Sequence, residues 1–367
     1  MGFLIDLGVQ IGVPCRSTLF VIQIETRSTN RTNAFQSMMR THTRRGFLTR
    51  AGKMLGGAAL IQPAAAWAFA TRSPVADLVH RSAKAMGTPV RLSLLASEFS
   101  SAASEGAFSQ LHQVDSLLTV HKSTSALMRV NAGQSVDSRA VSDVARAALH
   151  FGALSDGAMD VTVLPAMRRM GFVPGSSMEG VIDFRQLDVD GTTVRMKTTG
   201  VMADFGGIAK GYGVDQAIAA ARSAGATAAL IDAGGDLFAL GRPEAARPWN
   251  VGIRHPERAQ DLVATIEVEN EAVATSGTYL RTRTVHGKDV SHLVDPRTGR
   301  SVNHVVSATI VARDTMTADA LATAVSVARR HHGQHLIEHQ AGVEGFLIYA
   351  DGSSYTSKGL RQRLRIL

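Results

Sequence analysis

Met202-Ala203-Asp204-Phe205-Gly206-Gly207-Ile208-Ala209-Lys210-Gly211-Tyr212 gathers one carboxylate, one ammonium and three glycines into a single short stretch. Upstream, Thr193 to Lys197 alternates as a strand does; downstream, Val214 to Arg222 is an alanine-rich helix. The glycines therefore fall at a strand-to-helix corner whose backbone N–H groups are free to point outward. Glycine lets a backbone approach an anion closely, a helix start favours negative charge, and Lys210 adds a mobile point charge, so the corner predicts a phosphate-bearing ligand. Asp204 cannot face a phosphate without a cation between them. A carboxylate at such a site points to Mg²⁺, or else to a hydrogen bond with a base or sugar.

The chain has 367 residues and 45% hydrophobic residues, enough for a substantial core. Its net charge of +8 is concentrated at one end: residues 1–70 hold eight Lys or Arg and two Asp or Glu, leaving +2 for residues 71–367. A near-neutral body without an aromatic and basic face argues against nucleic acid as a partner. Thr43-Arg44-Arg45-Gly46-Phe47-Leu48, an apolar run from Met54 to Ile61, and Ala64-Ala65-Ala66-Trp67-Ala68-Phe69-Ala70 resemble a twin-arginine export signal cleaved near Ala68 or Ala70. Residues 38–70 are thus read as a signal peptide, residues 1–37 as a mis-start extension or disordered segment, and residues 71–367 as the functional domain. The expected location is the periplasm, attached to the outer face of the inner membrane at most. The single cysteine, Cys15, lies in the leader, so the body has no thiolate chemistry available.

Along the body, Val90 to Leu94 reads as a strand after the Met86-Gly87-Thr88-Pro89 turn, and residues 102–118 and Val141 to Leu154 read as helices. Residues 180–203 read as a hairpin turning at Asp190-Gly191. Ala228 to Gly241 is strand, glycine turn, strand, and its Asp232-Ala233-Gly234-Gly235 repeats the Asp-x-Gly-Gly of the first corner. Strands follow at Trp249 to Pro256, Leu262 to Ala274, Val285 to Leu293 and Val306 to Ala312, then a helix from Thr317 to Arg329 and a closing hairpin. The fold class is α+β, with mixed or antiparallel sheets and packed helices in one unit of two lobes.

Asp319 and Thr323 are four apart in the late helix and share a face. A carboxylate, a hydroxyl and a glycine carbonyl make a partial oxygen shell for Mg²⁺. From spacing alone, the commoner reading is Asp319 as a helix N-terminal charge and Thr323 as a packing residue. His292, ahead of the Asp295-Pro296-Arg297-Thr298-Gly299 turn, can take a proton near neutral pH, or simply pack. Gly206 to Gly211 is not a P-loop, since Gly211 rather than Ser or Thr follows the lysine. No G-x-G-x-x-G opens a βαβ unit either, so a Rossmann site is not supported. The residues themselves point to a phosphate-bearing ligand with a hard cation and do not name a reaction.

Seven motifs in order resemble those of the FAD:protein FMN transferase (ApbE-type) family. They are Met86-Gly87-Thr88, Ser155 to Asp160, Asp204 to Tyr212, Asp232 to Asp236, Ala274 to Gly277, His292 to Gly299 and Ala318 to Ala324. The resemblance implies an ApbE-like fold and Mg²⁺-dependent transfer of FMN from FAD to a threonine or serine hydroxyl of an acceptor flavoprotein subunit, with release of AMP. By the same resemblance, Asp319, Thr323 and the carbonyl of Gly207 are the metal ligands. Asp204 and Lys210 contact FAD, Ala158, Met159 and Asp160 line its pocket, and Met86 lies at its edge. His292 is similar to the family's base toward the acceptor hydroxyl, with Asp295 beside it. Leu118-Thr119-Val120-His121 departs from the family's serine-containing segment. A periplasmic FAD carrier, or an FAD pyrophosphatase without an acceptor, would present similar pocket residues.

Overall fold

The computed structural model describes residues 19–21, 77–176, 180–244, 247–258, 260–285 and 287–367. All of them belong to one compact unit. The twin-arginine motif and the rest of the leader's signal lie outside the described residues, as does most of the 1–37 extension.

The frame is an eight-stranded sheet with every neighbouring pair antiparallel. Its order is Ser354–Thr356, Glu344–Tyr349, Val305–Ala312, Glu271–Gly277, Asp236–Leu240, Ala229–Ala233, Thr88–Leu95 and Leu78–Ala85. Successive strand residues face opposite sides, and both sides are covered. Ile231 and Phe238 look toward the helices, whereas Leu230 and Leu237 look toward a second sheet carrying Trp249, Val251 and Ile266. That double burial explains why Ala229 to Leu240 reads as nearly continuous hydrophobic sequence. The second sheet orders Leu19–Val21, Trp249–Arg254, Leu262–Val268 and Leu364–Ile366. Small hairpins pair Thr282–Val285 with Lys288–Ser291, and Val294–Asp295 with Arg300–Ser301.

Seven α-helices occur among the described residues: α1 Ser101–Leu118, α2 Ala126–Asn131, α3 Arg139–Leu154, α4 Leu164–Arg169, α5 Ala209–Ser223, α6 Thr315–Val327 and α7 Arg330–Glu338. In α1 the buried Ala103, Ala107, Leu111, Val114 and Leu118 recur at helical spacing, which is why the helix is legible. Helix α6 is buried on nearly every side. Its first N–H groups are satisfied by two aspartates. Asp314 accepts from Thr317 N at 2.7 Å, and Asp215 of α5 accepts from Thr315 N at 2.7 Å and Met316 N at 2.9 Å. Burial pushes the Asp215 carboxyl up to about 6 against those bonds.

Three sequence expectations about the elements need correction. Val285 to Leu293 is not one strand: Val285 ends the strand Thr282–Val285, which pairs antiparallel with Lys288–Ser291. Leu262 to Ala274 is not one strand: Asn270, at φ 53, turns the chain out of the second sheet and into the eight-stranded one. Helix α5 begins at Ala209 rather than Val214, so Lys210 and Gly211 lie in its first turn. Glycine inside that turn is explained by close packing. A Cβ on Gly211 would stand 2.3 Å from the Thr315 carbonyl oxygen and 2.6 Å from Met316 Cα, both backbone atoms of α6. Gly211→Ala is therefore expected to force the helices apart and cost about 1–3 kcal/mol or more, read as a lower midpoint in thermal unfolding. An unchanged midpoint would show that the crossing relaxes freely.

Candidate functional site

The crossing of α5 and α6 is where the candidate site is built. Lys210, in the first turn of α5, reaches across to α6. Its Nζ is hydrogen-bonded to Asp236 Oδ2, at the start of a central strand, and lies 3.5 Å from Asp319 Oδ1 on α6. Asp319 Oδ2 accepts from Gly211 N at 3.0 Å. Asp236 and Asp319 are each 2% exposed, so two buried carboxylates share one ammonium. One turn along α6, Thr323 Oγ1 lies 3.3 Å from the Gly207 carbonyl oxygen. A Cβ on Gly207 would come within 2.9 Å of that hydroxyl, so glycine keeps the two oxygens together. The structure thus gathers Gly207, Asp319 and Thr323 around one turn of backbone.

These donors suit a hard divalent cation: one carboxylate, one hydroxyl and one carbonyl, all oxygen. Among the described residues no group of three or more His, Cys, Asp or Glu is arranged to hold a metal. A set with a single carboxylate leaves positions for waters or ligand phosphates, as Mg²⁺ prefers.

The glycine N–H groups behave differently from the expectation that they point outward. Gly206 N donates to Asp204 Oδ1 at 2.9 Å and Gly211 N to Asp319, so two of the three are committed to carboxylates of this chain. None of Gly206, Gly207 and Gly211 has positive φ, whereas Gly234 and Gly235 of the second Asp-x-Gly-Gly have φ of 69° and 104° in a tight hairpin. The two corners share a sequence and not a geometry. Asp204 is pushed up by burial, opposed by the Gly206 N–H and the charge of Arg281. Asp232 is likewise pushed up by burial, opposed by Gly235 N and by Arg91, Arg254 and Lys210.

The other sequence-derived residues lie around this centre. Met86, at φ 52 in a turn with Gly87, rests its sulfur against Gly213 of α5. Ala158 and Met159 are buried. The Asp160 carboxylate is spent internally, accepting from Thr162 N at 2.8 Å, Thr162 Oγ1 at 2.6 Å and Phe184 N at 2.9 Å; burial still holds its pKa up. His292 packs edge-on to Phe172, ring centres 6.4 Å apart, and its Nδ1 is buried without a hydrogen-bond partner. Burial first, and then the charge of Arg281, lower its pKa to about 3, so the ring is neutral near pH 7. Asp295 accepts from Arg297 N at 3.1 Å and Arg297 Nε at 2.9 Å, closing the turn after His292.

Three further residues belong here. Asp236 shares the lysine, and its place in the second Asp-x-Gly-Gly-Asp was the available signal. Arg281 acts on both Asp204 and His292, and nothing in its local sequence marks it. Asn131 clamps Ala203 through both backbone groups, donating to its carbonyl at 2.8 Å and accepting from its N–H at 2.7 Å, which fixes the position of Asp204.

An antiparallel α+β frame with an oxygen-lined, lysine-bridged acidic centre at a helix crossing defines the class. The chain belongs to the ApbE family, whose model matches residues 86–347. It is 30% identical over 309 residues to the FAD:protein FMN transferase of Salmonella typhimurium, covering 78% of this chain and 87% of that protein. Among solved structures it is similar to the ApbE protein of Thermotoga maritima (TM-score 0.71, 26% identity, 78% of this chain and 99% of that one). It is also similar to the flavin transferase ApbE of Vibrio cholerae (TM-score 0.68, 26% identity, 78% and 99%).

Proposed function

We propose that this protein is an FAD:protein FMN transferase. It uses Mg²⁺ to move FMN from FAD onto a threonine or serine hydroxyl of an acceptor flavoprotein and releases AMP, and it works in the periplasm. Among the described residues no helix is long and apolar enough to cross a membrane. The observation that carries the reading is the meeting of Asp319, Thr323, Gly207 and Lys210 at one helix crossing in a chain of this family.

Asp319, Thr323 and the Gly207 carbonyl would hold the ion, which would supply charge neutralisation at the pyrophosphate and at the leaving phosphate oxygen. Lys210 carries three N–H donors; Asp236 and Asp319 occupy two, which leaves one for a phosphate oxygen. The acceptor oxygen forms a bond to the FMN phosphorus as the bond to the bridging oxygen breaks, AMP departs, and the hydroxyl proton passes to a ring nitrogen of His292. The neutral imidazole has a lone pair for that proton.

His292→Ala should slow transfer about 10²–10⁴-fold while FAD binding, followed by flavin fluorescence, stays near the wild-type level. Equal loss of binding and turnover would assign His292 to binding instead. The low pKa adds a stability test. Because the folded value, about 3, lies below the ordinary one, the neutral ring costs nothing above about pH 6.5. The folded state loses stability as the pH falls from there toward 3, and His292→Ala should lack that component in paired acid titrations. Incubating the protein with FAD, Mg²⁺ and a flavin-subunit domain tests the activity itself: FMN on the domain and free AMP support it, and neither product rejects it.

A further inference from the structure

We propose that His335 and His339, on the exposed face at the end of α7, form a site for a transition-metal dication such as Zn²⁺ or Cu²⁺, separate from the oxygen-lined crossing of α5 and α6. The stretch His331-His332-Gly333-Gln334-His335-Leu336-Ile337-Glu338-His339 sets histidines four apart twice over. Residues at that spacing are neighbours on a helix surface, with Cβ atoms about 5–6 Å apart. The other face of α7 is taken up by packing. A Cβ on Gly333 would stand 3.4 Å from the Val325 carbonyl oxygen of α6, Leu336 is buried, and Ile337 packs over Gly345 of the main sheet. His331, His335 and His339 are left on the exposed side.

Of these three, His335 and His339 are the pair arranged for an ion. Their ring centres are 3.7 Å apart, with the planes inclined at 33°. His339 Nδ1 lies 3.0 Å from the His335 carbonyl oxygen, and a carbonyl only accepts, so Nδ1 carries the proton. In the neutral ring this leaves the lone pair on Nε2, and a backbone carbonyl on the other nitrogen is the usual support of a metal-binding histidine. Two nitrogens bonded to one tetrahedral ion at about 2.0–2.1 Å stand about 3.3 Å apart, on the scale of the ring spacing already present. Rotation of an exposed side chain supplies the remaining adjustment. The location also favours positive charge. His339 is the C-cap of α7, at the negative end of the helix dipole, and the neighbouring Glu338 carboxylate accepts from Tyr355 Oη at 2.9 Å. The arginine of this helix, Arg330, is turned to Asp351 at 2.6 Å and to the face of Tyr349. Two imidazoles select Zn²⁺, Cu²⁺ or Ni²⁺ over Mg²⁺, whereas Asp319, Thr323 and Gly207 offer oxygen alone and have the opposite preference. Waters complete the shell of an ion held by two side chains.

Equilibrium dialysis of Zn²⁺ against the untagged full chain, with millimolar Mg²⁺ present, tests the site. The wild type should hold one Zn²⁺ that the double variant H335Q/H339Q lacks. H335Q and H339Q alone should each bind that ion about tenfold or more weakly, because the second imidazole acts at the high effective concentration of a tethered ligand. H331Q/H332Q should bind as the wild type does. Zn²⁺ should also raise the thermal midpoint of the wild type and of H331Q/H332Q by about 1–3 °C and leave that of H335Q/H339Q where it was. Equal Zn²⁺ uptake by the wild type and H335Q/H339Q overturns the proposal. A loss in H331Q/H332Q as large as in H339Q also overturns it, because the ion would then sit at the start of α7. Displacement of the ion by Mg²⁺ does the same, since it would place the ion among the oxygens of the α5 and α6 crossing. None of these readouts depends on flavin transfer.

Discussion

Asp319→Ala is expected to abolish FMN transfer and AMP release, a loss of at least about 10³-fold, while the protein remains folded. The size follows from the donor set. In the proposed shell Asp319 would be the one carboxylate beside a hydroxyl and a carbonyl, so the remaining oxygens would bring no charge to hold a divalent ion. The fold should survive because Lys210 keeps Asp236 as partner when Asp319 is removed. What is lost is the bond from Gly211 N, on the order of 1–3 kcal/mol. Asp319→Asn keeps an acceptor for that N–H and separates the effects: it should be as inactive as the alanine variant and more stable. Wild-type turnover in either would remove Asp319 from the chemistry.

Lys210→Met has the largest expected effect on stability. It removes the ammonium that bridges Asp236 and Asp319, two carboxylates each 2% exposed. Breaking a buried pair by removing one partner costs about 3–5 kcal/mol, on the order of 10 °C in the unfolding midpoint of a domain this size. The position of the ammonium adds a second expectation. Lys210 bridges the same carboxylate that the ion would use, so in the variant Mg²⁺ supplies charge compensation that the protein no longer provides. Millimolar Mg²⁺ should raise the midpoint of Lys210→Met by several degrees more than that of the wild type. A variant as stable as the wild type without metal would mean that the two aspartates are protonated or solvated in its absence.

The frame was legible in the sequence where periodicity is set by one buried face. Helices α1 and α3 and the hairpin at Asp190-Gly191 follow from local pattern and turn chemistry. Short helices were not: α2, α4 and α7 have six, six and nine residues, too few for a 3.6-residue period to stand out. The start of α5 was misread because glycines usually break helices, whereas Gly211 is there so that α6 can come within backbone contact. That long-range demand leaves no local signature.

The site shows the same division. The pairing of Asp319 with Thr323 follows from helical spacing, and the Lys210 corner from composition. The sharing of Lys210 with Asp236 required the sheet to bring residue 236 beside α5. The clamp of Asn131 on Ala203 joins positions 72 residues apart. The expectation that glycine N–H groups would face a phosphate overlooked nearer acceptors: the Asp204 and Asp319 carboxylates of the chain itself.

The account depends most on an ion held between the glycine corner and α6, and crystals grown with FAD and Mn²⁺ test that directly through anomalous scattering. One strong peak is expected at coordination distance, about 2–2.3 Å, from an Asp319 carboxylate oxygen, Thr323 Oγ1 and the Gly207 carbonyl, with a phosphate oxygen of the nucleotide completing the shell. A peak elsewhere, or bound FAD whose pyrophosphate lies away from Asp319 with no ion beside it, would contradict the account.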